Sequence, residues 1–135
     1  MEKFKSTIHA KHLLLYHVIF STKYRKCLFS TIEGLSDKVK ELSIEICKRY
    51  KVIIHFIEVD KDHIHYMIET IPNCNLANLV KTLKSFVTFH IWKFFESELS
   101  KHYWKERTLF ADGYFISSIG NVSQKTLAEY IKNQG

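Results

Sequence analysis

One proline and four glycines are all that this chain of 135 residues contains. So few leave little room for linkers and exclude a glycine-rich loop that cradles nucleotide phosphates. Cysteine is also sparse. Cys27, Cys47 and Cys74 lie far apart and are odd in number. That excludes a Cys-x-x-Cys zinc knuckle and a disulfide framework, and it fits reduced thiols. No long apolar run exists. The stretch from Leu13 to Phe20 is interrupted by Tyr16 and His17, too short to span a bilayer, and carries no signal-peptide cleavage pattern. A cytoplasmic protein without a membrane partner is expected.

What is present argues for a folded domain. Hydrophobic residues make up 46%, with 10 Phe and 7 Tyr, enough for one core and one domain over residues 1–135. The 20 Lys+Arg outweigh 14 Asp+Glu, for a net charge of +6. That balance suits a polyanion such as nucleic acid, and equally suits a plain basic surface.

Periodicity orders the elements. Residues 12–20 read as a buried strand, followed by the basic loop Lys23-Tyr24-Arg25-Lys26. Ser30 or Thr31 can cap a helix to about Tyr50, with the stripe Ile32, Leu35, Val39, Leu42, Ile46 and Tyr50. Val52 to Val59 and His63 to Thr70 form a hairpin about the turn Asp60-Lys61-Asp62. Asn75 can cap a long helix whose apolar face runs from Leu76 to Phe95. Tyr114 to Ser118 reads as a last strand closed by Gly120-Asn121, and Ser123 caps a final helix to about Asn133. The order β-α-β-β-α-β is the α+β ferredoxin-like pattern, an antiparallel sheet with helices on one face. A C-terminal helix carrying Tyr130 is appended.

The chemistry concentrates in Asp62-His63-Ile64-His65. Strand side chains alternate, so both imidazoles project from one face, about 7 Å apart, beside a carboxylate. They are candidates for half of a metal site, with packing an equal reading of the pair taken alone. In a helix Tyr130 and Gln134 stack at i and i+4, bringing a phenol and a neutral oxygen ligand to one place. Single strand histidines and stripe aromatics are more often packing, and Asp62 could be a simple turn residue or stand behind the metal ligands. His9, His12, His17, His55, His90 and His102 show no metal spacing.

Several of these segments together resemble one family, the small single-tyrosine HUH transposases of minimal insertion sequences. Asp60-Lys61-Asp62-His63-Ile64-His65 looks like its histidine strand, and Tyr16 to Phe20 with Thr22 to Lys26 like its first strand and basic loop. Phe115 to Gly120 looks like its last sheet strand, and Tyr130 to Gln134 like its nucleophile helix. The matches keep the family's order along nearly the whole chain. The family usually continues past the tyrosine helix, whereas this chain stops at Gly135, which reads as a shortened tail.

The resemblance implies a metal-dependent enzyme that cleaves and rejoins single-stranded DNA through a 5′-phosphotyrosine on Tyr130. It implies Mg²⁺ or Mn²⁺ held by His63, His65 and Gln134, although imidazoles alone would suit Zn²⁺ as well. Its partners would be DNA hairpins at element ends and a second copy of the chain, with active sites completed within or between subunits. Lys23, Tyr24, Arg25 and Lys26 combine charge with an aromatic face and are the DNA-contact candidates. Trp104, Lys105 and Arg107 form a weaker second set. The alternatives are a non-catalytic ferredoxin-like nucleic-acid-binding module or a decayed transposase that still binds DNA. A two-histidine phosphoesterase ranks far behind, because that chemistry uses two separate His-x-Ser/Thr motifs and only one His-x-His appears here.

Overall fold

The computed structural model describes residues 13–122, together with Glu129 and Lys132. The strands are β1 (Leu13–Ser21), β2 (Ile53–Val59), β3 (His63–Thr70) and β4 (Phe115–Val122). The helices are α1 (Leu28–Thr31), α2 (Leu35–Arg49) and α3 (Leu76–Ser100), and a 3-10 turn occupies Lys23–Arg25. All four strands pair antiparallel in the order β2-β3-β1-β4. This is the expected ferredoxin-like arrangement.

Alternation decides which face carries the core. Val18 and Phe20 of β1 share a face with Ile64, Tyr66 and Ile68 of β3, and α2 and α3 cover it with Leu35, Val39, Leu42, Ile46, Leu79, Leu83, Val87 and Ile91. Each such side chain contributes about 1.5–3 kcal/mol when fully buried. The residues between them, His17 and Ile19 on β1 and His63, His65 and Met67 on β3, therefore face the other way. Leu15 and Met67 are buried there too, outside the helix-side cluster.

Three boundaries differ from expectation. The first helix is split. Ser30 and Thr31 turn their hydroxyls back to the carbonyl of Cys27, at 3.1 and 2.7 Å, and so cap nothing ahead of them. Gly34 then takes φ 85° as the N-cap of α2, a conformation glycine adopts without Cβ strain. The anticipated stripe survives: Ile32, Leu35, Val39, Leu42 and Ile46 are buried, whereas Tyr50 is exposed.

The long helix is capped by Asn75 as expected, its side-chain oxygen accepting the Asn78 N–H at 3.1 Å. It runs on to Ser100, leaving helical geometry at Phe95 (φ −129°, ψ 31°). β4 continues through Gly120-Asn121 instead of ending there, with a register shift opposite Leu15/Tyr16. The expected final helix, with Ser123, Leu127, Tyr130, Ile131 and Gln134, lies outside the described residues. Only Glu129 and Lys132 there are described, both helical and exposed.

Candidate metal and nucleic-acid site

β3 aims its histidines because Ile64 and Tyr66 are drawn into the core between and beyond them. His63 and His65 are left half-buried on the opposite face. Across the sheet, register places Ser21 opposite His63, Ile19 opposite His65 on β1, and Glu58 opposite His65 on β2. A pocket of about 320 Å³ opens here, lined by Ile19, Glu58, Val59, Asp60, His63 and His65.

The imidazole protons are partly fixed by neighbours. His63 Nδ1 lies 3.2 Å from Asp62 Oδ1. An ionised carboxylate can only accept, so Nδ1 donates, and the neutral ring keeps its lone pair on Nε2. Asp62 Oδ2 accepts from Arg25 Nε at 3.0 Å. The Arg25 hydrogen bond first, and that of His63 second, hold this carboxyl below its ordinary range. His65 is held below the ordinary imidazole value, by burial first and by His17 second. A neutral imidazole is the form that ligates a cation.

His17 enters the site unannounced. Its Nδ1 is 2.7 Å from His65 Nε2, with ring centroids 4.8 Å apart. Burial keeps its pKa low as well. Spacing along the chain carries no hint of this, since His17 and His65 lie on different strands. Only the β1–β3 register, with His17 opposite Met67 and Ile19 opposite His65, makes them diagonal neighbours. Two further histidines serve the scaffold: His55 pairs with Glu69 at 2.8 Å, and His90 lies 2.9 Å from the carbonyl of Phe86.

The donors suit a divalent cation that accepts nitrogen and oxygen. His63 offers Nε2, while His65 must exchange His17 for a cation if it binds through the same atom. Glu58 and Asp60 add carboxylate oxygen at the rim. Among the described residues, no three His, Cys, Asp or Glu side chains are already gathered to hold a metal ion. A cation bound here would take a further donor from elsewhere, and Tyr130 and Gln134 lie outside the described residues.

The basic turn packs beside this strand. Thr22 N–H donates to Asp62 O at 2.9 Å, and Lys23 N–H to Leu109 O at 2.8 Å. The Tyr103 hydroxyl donates to Lys23 O at 3.0 Å. These ties hold Tyr24 and Arg25 at φ 62° and 53°, a left-handed conformation that costs a side-chain-bearing residue about 1–3 kcal/mol. Three of the four candidate DNA contacts already touch an acid. Lys23 meets Asp112 at 3.4 Å, the Tyr24 hydroxyl meets Glu106 at 3.1 Å, and Arg25 meets Asp62. Lys26 is half-buried, and its carbonyl accepts from the Thr22 hydroxyl at 2.7 Å.

The second basic set flanks Glu106, the residue that the Tyr24 hydroxyl meets. Trp104 is 81% exposed, with Lys105 Nζ 4.7 Å from its ring centre. Arg107 sits 4.8 Å over Trp92 and lines a cavity of about 730 Å³ with Lys84, Phe89 and Lys93. Among the described residues no helix is long and apolar enough to cross a membrane.

The profile of the IS200-like transposases matches residues 10–134. This chain belongs to the IS200-like transposase family. It is 26% identical over 130 residues to the transposase of insertion sequence IS200 from Salmonella typhimurium, covering 96% of this chain and 82% of that one. It is 23% identical over 121 residues to the ISDra2 transposase TnpA of Deinococcus radiodurans, covering 90% and 84%. Its fold matches the crystal structure of a protein from the same species described as a transposase, with TM-score 0.71, 26% identity and coverage of 90% and 91%. It also matches, in fold alone, a REP-associated tyrosine transposase bound to a REP hairpin, with TM-score 0.58, 10% identity and coverage of 91% and 64%. The IS200-like chain is thus a transposase of a mobile element, in a class of enzymes that act in DNA recombination.

Proposed function

We propose that this IS200-like transposase cleaves and rejoins single-stranded DNA at insertion-sequence ends by transesterification through Tyr130. The observation that carries the reading is the same-face pair His63 and His65, with the His63 proton held on Nδ1 by Asp62. It supports two imidazoles lining one pocket, with the lone pair of His63 left on Nε2 and His65 Nε2 shared with His17.

The Tyr130 phenol, whose ordinary pKa is near 10, gives up its proton as its oxygen attacks phosphorus. The bond from phosphorus to the 3′ oxygen breaks, and that oxygen leaves and takes a proton. The 5′ phosphate remains esterified to the tyrosine. A 3′-hydroxyl from another end then attacks this ester, and the phenol departs. The phosphodiester energy is conserved, so no nucleotide is consumed. Mg²⁺ or Mn²⁺ on His63, His65 and Gln134 would supply charge neutralisation at the phosphate and at the departing oxygen. His65 would first part from His17. The basic turn Lys23 to Lys26 would hold the strand, DNA hairpins would be the recognised ends, and two copies of the chain would act together.

The test is incubation with labelled single strands from the element ends and Mn²⁺, followed by denaturing electrophoresis. A covalent complex that maps to Tyr130, absent in Tyr130→Phe while hairpin binding persists, is expected. Binding without any adduct from the unaltered chain would favour a non-catalytic DNA-binding module, and cleavage by Tyr130→Phe would remove that tyrosine as nucleophile.

A further inference from the structure

Arg25, Asp62 and His63 form an unbroken line of contacts from the basic turn to the histidine strand. The two ends differ in freedom. The Arg25 side chain is 65% exposed and that of Asp62 22%. Asp62 is also anchored through its backbone, since its carbonyl accepts both the N–H of Thr22 at 2.9 Å and its hydroxyl at 3.3 Å. Its carboxylate is shared: Oδ2 serves Arg25 at 3.0 Å and Oδ1 serves His63 at 3.2 Å. The second contact is longer than the roughly 2.7–2.9 Å of a strong charge-assisted bond.

We propose that Asp62 is a positioning residue through which DNA contact at Arg25 tightens cation binding at His63. This rests on the metal reading given above. A phosphodiester offers guanidinium two oxygens in the plane it prefers, and Arg25 is the solvent-facing partner able to turn toward one. Asp62 then keeps its full negative charge for the His63 Nδ1–H. A carboxylate behind a ligating imidazole fixes the ring and makes its other nitrogen a better donor. Before DNA arrives, Arg25 holds part of that charge and His63 is the weaker ligand. Linkage makes the effect reciprocal: whatever factor DNA adds to cation affinity, the cation adds to DNA affinity.

The test is Mn²⁺ titration calorimetry on the full chain, with and without a single-stranded oligonucleotide, with circular dichroism to confirm folding. Asp62→Asn keeps the shape and an acceptor oxygen but removes the charge. It is expected to weaken Mn²⁺ binding about 10–100-fold and to abolish the gain from DNA. Arg25→Ala is expected to strengthen Mn²⁺ binding without DNA in the native background, and to change nothing in the Asp62→Asn background. An equal effect of Arg25→Ala in both backgrounds would reveal plain through-space charge and overturn the proposal, as would unaltered Mn²⁺ affinity in Asp62→Asn. If the native chain binds no Mn²⁺, or binds it as well after His63→Ala, the metal reading itself falls.

Discussion

The Nδ1 of His17 lies 2.7 Å from the Nε2 of His65, tying β1 to β3 on the sheet face opposite the helices. Only one proton can sit between these atoms, so the contact requires at least one neutral ring. Burial keeps both groups below the ordinary value of about 6.5.

A pH dependence follows from that sign. With folded pKa values below the unfolded value, the unfolded chain binds more protons as pH falls below about 6.5. The stability owed to the neutral pair is complete above that value and disappears on acidification toward the folded values. Asp62, also depressed in the fold, gives up its share only in the carboxylate range, below about 4. Urea unfolding is expected to show a lower midpoint at pH 5 than at pH 7.5, and His17→Gln should shrink the difference. An undiminished difference in the variant would assign the effect to other groups.

Tyr66 and Ser43 join β3 to α2 inside the core, their hydroxyls 2.8 Å apart. Tyr66 is fully buried, and burial first raises its pKa well above the ordinary phenol value. Tyr66→Phe strands the Ser43 hydroxyl without its partner, at a cost of about 1–3 kcal/mol. Adding Ser43→Ala should recover part of that cost, since neither polar group then remains. Chemical denaturation of the single and double variants measures it; a double variant no more stable than Tyr66→Phe would mean that packing, not the hydrogen bond, dominates.

Gly34 separates α1 from α2 at φ 85°, and a Cβ built there meets only Phe95 Cζ at 4.0 Å. Space is therefore not the obstacle to Gly34→Ala; the left-handed backbone is. Destabilisation on the order of 1 kcal/mol is expected, read as a lower thermal midpoint with DNA affinity intact. Gain of stability would show that the junction relaxes into an ordinary helical conformation.

The sheet and its order are legible in the sequence because strand alternation and helix stripes are local signals. Val18, Phe20, Ile64 and Tyr66 declare their common face through pattern alone, and so do His63 and His65. The helix boundary at Thr31 is not legible, because a hydroxyl that caps forward and one that bonds back to the preceding turn look alike in sequence. His17 and the Arg25–Asp62 pair are hidden for another reason. Both depend on register across the sheet or on a turn with left-handed residues, and neither leaves a periodic trace. The roles of Tyr130 and Gln134 rest on resemblance, because those residues lie outside the described part of the chain.

The last prediction concerns the second basic surface. Lys93 Nζ lies 4.7 Å from the Phe89 ring centre, and the Arg107 guanidinium 4.8 Å from that of Trp92. These residues line the cavity of about 730 Å³ along α3, and Phe89 is 60% exposed. A cation beside the exposed Phe89 ring is what a single strand needs, phosphate outside and base face inside, whereas Trp92 is buried and carries Arg107 over it at the cavity wall. Arg107 also meets Glu96 at 3.4 Å, an exposed pair that holds it only weakly. We therefore predict that Lys93→Glu with Arg107→Glu weakens binding of single-stranded DNA. The salt dependence should fall by about 0.7 in slope for each phosphate that the protein no longer neutralises. Mn²⁺ affinity should not change, because this cavity shares no residue with the pocket at His63 and His65. Fluorescence anisotropy across a salt series decides it: an unaltered slope would confine the DNA contacts to the basic turn, and a fall in Mn²⁺ affinity would point to a fold disturbed beyond the cavity.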